Sequence, residues 1–206
     1  PMFSLPDMPI ELQPLIPFLI FTAVFSALTS VAYMAAIRKG RELATRSQWS
    51  MPKLLLSCVV VVGAIGVVVP DVAGLGLRQI NQMLDAQFGL GMLLVLLAGK
   101  IFVTAYCLNT GFFGGVFGPA LFVGAATGAV VAHVAILLGL APHLSYALPV
   151  AAIAAVGGAV IGAPLTAIMI VIELTGSYAY GLSAMLCAIL CSLLTLRFFG
   201  LSYFDR

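Results

Sequence analysis

Between Asp85 and Asp205 the chain carries a single carboxylate, Glu173. A stretch that long cannot clothe a water-facing surface. The same shortage runs through the whole sequence: 8% of residues are charged and 63% are hydrophobic, with a mean hydropathy of +1.20. Soluble domains carry about 25% charged residues. Lipid must therefore be the solvent for most of this chain, which predicts an all-α, multi-pass integral membrane protein of a plasma or inner membrane.

Apolar length and Gly/Pro punctuation divide the sequence into helices. The pattern predicts a long tilted segment over 14–43, a second over 51–69 ending at Pro70, and a short amphipathic or re-entrant helix over 76–88. A span over 90–108 precedes helices over 116–138, 145–159, 163–175 and 178–199. The 163–175 segment reaches roughly 20 Å at 1.5 Å per residue, short of a hydrocarbon core about 30 Å thick. It opens Gly162-Ala163-Pro164, with proline in the first turn, where a missing N–H costs little. Short segments of this kind point to a transporter's binding site.

The basic residues Arg38, Lys39, Arg41, Arg46 and Lys53 crowd one polar stretch. The positive-inside rule predicts that this loop, 38–53, is cytoplasmic. One span away, the acidic segment 1–13 is then expected on the extracellular side, and 200–206 begins a cytoplasmic terminal segment. The net charge of +2 gives no reason to expect a nucleic-acid partner. The chain opens Pro1-Met2 without a leader peptide, as expected at the boundary of a longer protein.

Residues 109–119 read Asn-Thr-Gly-Phe-Phe-Gly-Gly-Val-Phe-Gly-Pro, too glycine-rich for a helix interior yet flanked by apolar runs. A helix beginning here has unpaired N–H groups and the positive end of its dipole, which together favour an anion. Gly114 and Gly115 remove Cβ atoms from the approach, and Pro119 supplies no donor. The free donors are then the amides of Val116, Phe117 and Gly118. A site made of neutral donors binds weakly, which suits an ion that must also leave. The same glycines would equally serve a tight turn between packed helices. The pairs Gly124/Gly128 and Gly158/Gly162 have the spacing of close helix packing.

These residues resemble a known family. Gly-Gly-Val-Phe-Gly-Pro-Ala-Leu at 114–121 resembles the GxFxP signature of the CLC chloride channels and proton–chloride exchangers, with Gly115, Phe117 and Pro119 at its defining places. Gly162 to Thr175, which includes Ala-Pro-Leu-Thr and Glu-Leu-Thr, resembles that family's later conserved helix, and Tyr203 falls where the family carries a pore tyrosine. The resemblance implies the C-terminal half of an inverted-repeat bundle with tilted, broken and re-entrant helices. It implies an anion site lined by Gly115, the Val116 and Phe117 amides, Gly118 and the Tyr203 hydroxyl. Gly114, Pro119, Pro164 and Glu173 would then be structural members of the motifs. It also implies chloride as the transported ligand without a cofactor, and a homodimer through the helices near 163–175 and 178–199.

Phe112 and Phe113 depart from the family, where small residues are usual, and are expected to narrow the path or alter anion preference. The first-half signatures GSGIP and GREGP are absent from this sequence. They would bring the site's serine and the gating glutamate. The chain is expected to need that N-terminal half and not to conduct alone.

Other polar residues read more plainly. Glu173 is a membrane-depth carboxylate and Lys100 a base either inside the bundle or snorkelling to an interface, both with structural roles expected. Arg197 reads as an interfacial anchor. His133 and His143, the latter in a loop after Pro142, have no carboxylate spacing for a metal, and Cys58, Cys107, Cys187 and Cys191 lie in apolar runs as small packing residues. An intramembrane enzyme is not expected: Ser183 and Ser192 lack nucleophile contexts, Asp71, Asp85 and Asp205 lie near helix ends, and no His-Glu-x-x-His occurs. A carrier of another small solute and a non-transporting scaffold are the remaining alternatives.

Overall fold

Nine α-helices build the described part of the chain, and the reason lies in how proline and glycine punctuate its apolar runs. The computed structural model describes residues 3, 12–112 and 114–199, except the side chains of 198 and 199. The helices are α1 (Leu12–Arg46), α2 (Met51–Val68), α3 (Leu77–Leu84), α4 (Leu90–Asn109), α5 (Phe117–Leu137), α6 (Pro142–Ser145), α7 (Ala147–Ile161), α8 (Pro164–Thr175) and α9 (Tyr178–Phe199), with a 3₁₀ turn at Pro70–Val72. Proline stands in the first turn of α2, α6 and α8, where its fixed φ suits the helix and no hydrogen bond is lost. Six spans are long and apolar enough to cross a membrane, taking α6 and α7 together as Pro142–Ile161.

Several boundaries differ from expectation. The basic stretch is not a loop throughout: α1 runs on to Arg46, and only 47–50 connects it to α2. Gly40 lies inside that helix, where its missing Cβ leaves room for the Asn109 side chain, whose Nδ2 donates to the Ile37 carbonyl at 2.9 Å. At 35 residues α1 is about 52 Å long, so it must tilt or protrude from the bilayer. Helix α3 stops at Leu84, since Ala86 adopts a left-handed φ of 54° that a helix cannot absorb. The span expected over 145–159 begins at Pro142, which places His143 in a helical turn, and ends at Ile161.

The core is α7. Every residue from Ala147 to Val160 is buried, and most are alanine, glycine or valine. A helix apolar on all sides belongs inside a bundle. It packs against α5 and α9 above all. The α5 contact is close because two glycines face it. A Cβ on Gly124 would lie 2.7 Å from the Ala152 carbonyl oxygen, and one on Gly128 only 2.4 Å from Pro149 Cα. Small residues of this kind let membrane helices gain van der Waals contact where no hydrophobic force operates.

The second small pair divides its labour. Gly158 is a packing residue, whose Cβ would meet Pro164 Cα at 2.9 Å. Gly162 is instead a helix stop. Its φ of 79° is left-handed, and its N–H and that of Ala163 both return to the Gly158 carbonyl. This C-terminal cap turns the chain into α8, which is 12 residues long, about 18 Å, and too short to span unaided.

Candidate anion site at the start of helix α5

Among the described residues, the glycine-rich break lies outside helix, between the end of α4 and the start of α5. It is anchored first at α4. The Cys107 carbonyl accepts the amides of Thr110 and Phe112, each at 3.3 Å. Gly111, at φ 99°, makes the reversal that follows. Phe112 is exposed, and Phe113 lies outside the described residues.

At its far end the segment enters α5 with Val116 as the N-cap and Phe117 as the first helical residue. The first hydrogen bond back to this end is from the Ala120 amide to the Val116 carbonyl, at 3.1 Å. Among the described residues, no backbone acceptor takes the amides of Val116, Phe117 or Gly118, and Pro119 has none to offer. Among the described residues, three N–H groups therefore have no partner at the positive end of a 21-residue helix. The sequence expectation names these three amides as anion donors.

The glycines before them are open. Gly115 has nothing within 4 Å of where a Cβ would sit, Gly114 only a Leu108 methyl at 4.0 Å, and neither has a positive φ. Among the described residues, therefore, neither a turn conformation nor packing requires glycine there. What these two residues leave is bare backbone beside the amides.

A tyrosine holds this end in place. Tyr33, wholly buried on α1, donates its hydroxyl to the Val116 carbonyl at 3.0 Å. That carbonyl thus accepts both Ala120 N–H and Tyr33 Oη, which fixes the direction of the peptide joining Val116 to Phe117 and hence the Phe117 N–H. Sequence reading missed Tyr33. A tyrosine inside an apolar span carries no local signal of a partner 83 residues away.

The last turn of α7 forms a common floor. Val116 clusters with Val156 and Val160, and Phe117 lies close over Gly157, where a Cβ would come 3.3 Å from Cε2. Gly158, the next residue, abuts Pro164 at the start of α8. Phe117 and Pro164 thus lie against adjacent residues of α7, Gly157 and Gly158. The structure does not bring Glu173 to them. That residue is exposed in the last turn of α8, nine residues beyond Pro164, and no hydrogen bond or ion pair reaches it among the described residues. Tyr203 lies outside the described residues.

Lys100 is settled inside the bundle. Its Nζ donates to the Val72 carbonyl at 3.0 Å and to that of Gly74, and it lies 4.7 Å from the centre of the Phe122 ring. The cation tethers the 3₁₀ turn to α4 and α5. His133 donates to or accepts from no metal set: its Nδ1 lies 3.0 Å from the Ala129 carbonyl, and no cluster of metal-ligating side chains occurs among the described residues. Arg197 is exposed near the end of α9.

Comparison with known proteins gives a consistent result. A family model described as voltage gated chloride channel matches residues 1–196. The chain is 31% identical over 175 residues to the H(+)/Cl(−) exchange transporter ClcA of Vibrio cholerae, covering 82% of this chain and 37% of the relative. The corresponding figures for ClcA of Vibrio vulnificus are 28% over 182 residues, 84% and 38%. The fold is similar to an X-ray crystal structure of a slow cyanobacterial Cl−/H+ antiporter, with a TM-score of 0.83 at 21% identity, over 98% of this chain and 48% of that one. The chain therefore spans well under half the length of these curated relatives.

Proposed function

The chain belongs to the voltage-gated chloride channel family, and from that premise we propose that it carries one half of a chloride pathway, as part of a channel or a proton-coupled anion exchanger. One observation carries this reading. Among the described residues, the amides of Val116, Phe117 and Gly118 stand unpaired beside the bare backbone of Gly114 and Gly115. Neutral donors at a helix start stabilise an anion by about 0.3–1 kcal/mol at an exposed end and up to about 2 kcal/mol when partly buried. That range is strong enough to admit chloride and weak enough to release it. The role is transport and not catalysis, with chloride as cargo and no cofactor required.

Tyr203 contributes its hydroxyl to the same anion in this proposal, a neutral donor like the amides. The remaining donors and any gating carboxylate come from an N-terminal half of the fold. In this proposal that end of α1 and the C-terminus face the cytoplasm, a reading supported for α1 by the exposed Arg38, Lys39, Arg41 and Arg46 on its last turns. Leu165 and Met169 on α8 and Leu182, Leu186 and Leu193 on α9 expose apolar faces that a second copy of the protein covers.

The test is chloride efflux from liposomes holding the full-length gene product, with external pH recorded. Gly115→Val is the informative variant, since it adds bulk beside the amides without a clash or a forbidden φ. Flux that falls in Gly115→Val and Tyr203→Ala supports the site. Coupled proton movement marks an exchanger and its absence a channel. A folded full-length protein with no anion flux, or with flux of a different solute, overturns the proposal.

A further inference from the structure

Cys58, 2% exposed, is the one buried residue of helix α2 among the described residues. Its thiol points at another thiol. Cys58 Sγ donates to Cys107 Sγ at 3.6 Å, and both cysteines are free. One residue earlier on each helix, the Tyr106 hydroxyl donates to the Ser57 hydroxyl at 3.2 Å. Two adjacent side-chain pairs thus fix the register of α2 against the end of α4. The other two cysteines are arranged differently. Cys187 and Cys191 follow one another on successive turns of α9, with Ser26 and Ser30 of α1 beside them.

We propose that Cys58 and Cys107 form a redox modification site, a dithiol that a small uncharged hydroperoxide oxidises to a disulfide joining α2 to the root of the glycine-rich segment. Cys107, only partly buried, is oxidised first. Its sulfur attacks the peroxide O–O bond, becoming a sulfenic acid and releasing water when hydrogen peroxide is the oxidant. The Cys58 sulfur then attacks the sulfenic sulfur, the S–S bond forms, and the displaced hydroxide leaves with the Cys58 proton as a second water. Two thiols give up two protons and two electrons, and one peroxide becomes two waters. The sulfurs need to approach by only about 1.5 Å to reach a bond of ~2.05 Å.

The consequence follows from what Cys107 holds. Its carbonyl receives the amides of Thr110 and Phe112, the first residues leading to Gly114 and Gly115. A covalent tie at this residue pins the root of that segment to a helix otherwise held by few buried contacts. The effect on transport rests on the function proposed above, whereas the chemistry of the two thiols does not.

The full-length protein in liposomes is treated with hydrogen peroxide, its remaining thiols are alkylated, and it is digested without reduction for mass spectrometry. We expect peptides bearing Cys58 and Cys107 to appear linked, two hydrogens lighter than their sum, and to separate on adding dithiothreitol. Neither Cys58→Ser nor Cys107→Ser gives the link, while a Cys187→Ser/Cys191→Ser double variant still does. Chloride flux falls severalfold on oxidation and recovers on reduction in the parent protein, and is indifferent to peroxide in Cys58→Ser. No linked peptide, with Cys107 passing instead to sulfinic or sulfonic acid, overturns the site. A link with unchanged flux overturns its coupling to the glycine-rich segment. A link in a protein that shows no chloride flux even when reduced leaves the dithiol standing and overturns the transport reading.

Discussion

The Tyr33 hydroxyl and the Val116 carbonyl, 3.0 Å apart and both buried, tie the middle of the longest helix to the first peptide of α5. The bond holds backbone, so its part in the proposed anion site is indirect: it sets where the following amide points.

Tyr33→Phe tests that relationship. The ring stays, the hydroxyl goes, and the carbonyl keeps its bond from Ala120. We expect a stability loss of about 1 kcal/mol. Chloride binding, measured by calorimetry on the full-length protein, should weaken severalfold with the fold intact by circular dichroism. Unchanged binding would show that the amide needs no help to hold its direction.

Adding bulk beside the amides separates site from scaffold. Gly115→Val meets no atom within 4 Å and no left-handed φ, so thermal stability should move by less than about 0.5 kcal/mol. Chloride flux should nevertheless fall. A large drop in melting temperature would mean that the glycine was structural after all.

Gly128→Ala should do the reverse. Its Cβ would enter the space of Pro149 Cα at 2.4 Å and of the Leu148 carbonyl oxygen at 2.7 Å, both backbone atoms that cannot rotate away. We expect destabilisation of about 1–3 kcal/mol from overpacking, read as a lower melting temperature in detergent. An unshifted melt would contradict the close α5–α7 contact.

Lys100→Met removes a buried cation from two carbonyls and an aromatic face. Stranding the Val72 and Gly74 carbonyls costs about 1–3 kcal/mol for each that finds no new partner. The loosened segment 70–76 should become the earliest site of limited proteolysis. Equal protection of this segment in variant and parent would argue against the tether.

Much of this architecture is legible in the sequence, because membrane helices announce themselves by length and their ends by proline and glycine. The limits of α2, α4 and α9 follow from Pro52, Asn109-Thr110-Gly111 and the polar Gly176-Ser177 step almost to the residue. The unpaired amides at 116–118 are readable too, since they need only a glycine-rich entry and a proline in the first turn. What stays hidden depends on distant pairing. Tyr33 and Val116 are 83 residues apart and Cys58 and Cys107 are 49 apart, and nothing in either local pattern names the partner. Gly162 was misleading for a different reason: a four-residue spacing from Gly158 looks like packing, while a left-handed cap depends on φ, which spacing does not encode.

The donors at the start of α5 belong to the main chain, and this alters what mutational surveys can see. Replacing Val116 or Phe117 by alanine leaves both N–H groups where they were, so an alanine scan would report packing changes and pass over the proposed anion contacts. Natural drift can likewise vary those side chains while preserving the backbone donors. Proline at 117 is a poor remedy, because Val116 sits at φ −79° and ψ −20°, a conformation disfavoured before proline. Replacing the Phe117 amide by an ester, which keeps the side chain and deletes one hydrogen, is the change to which such a site is not blind.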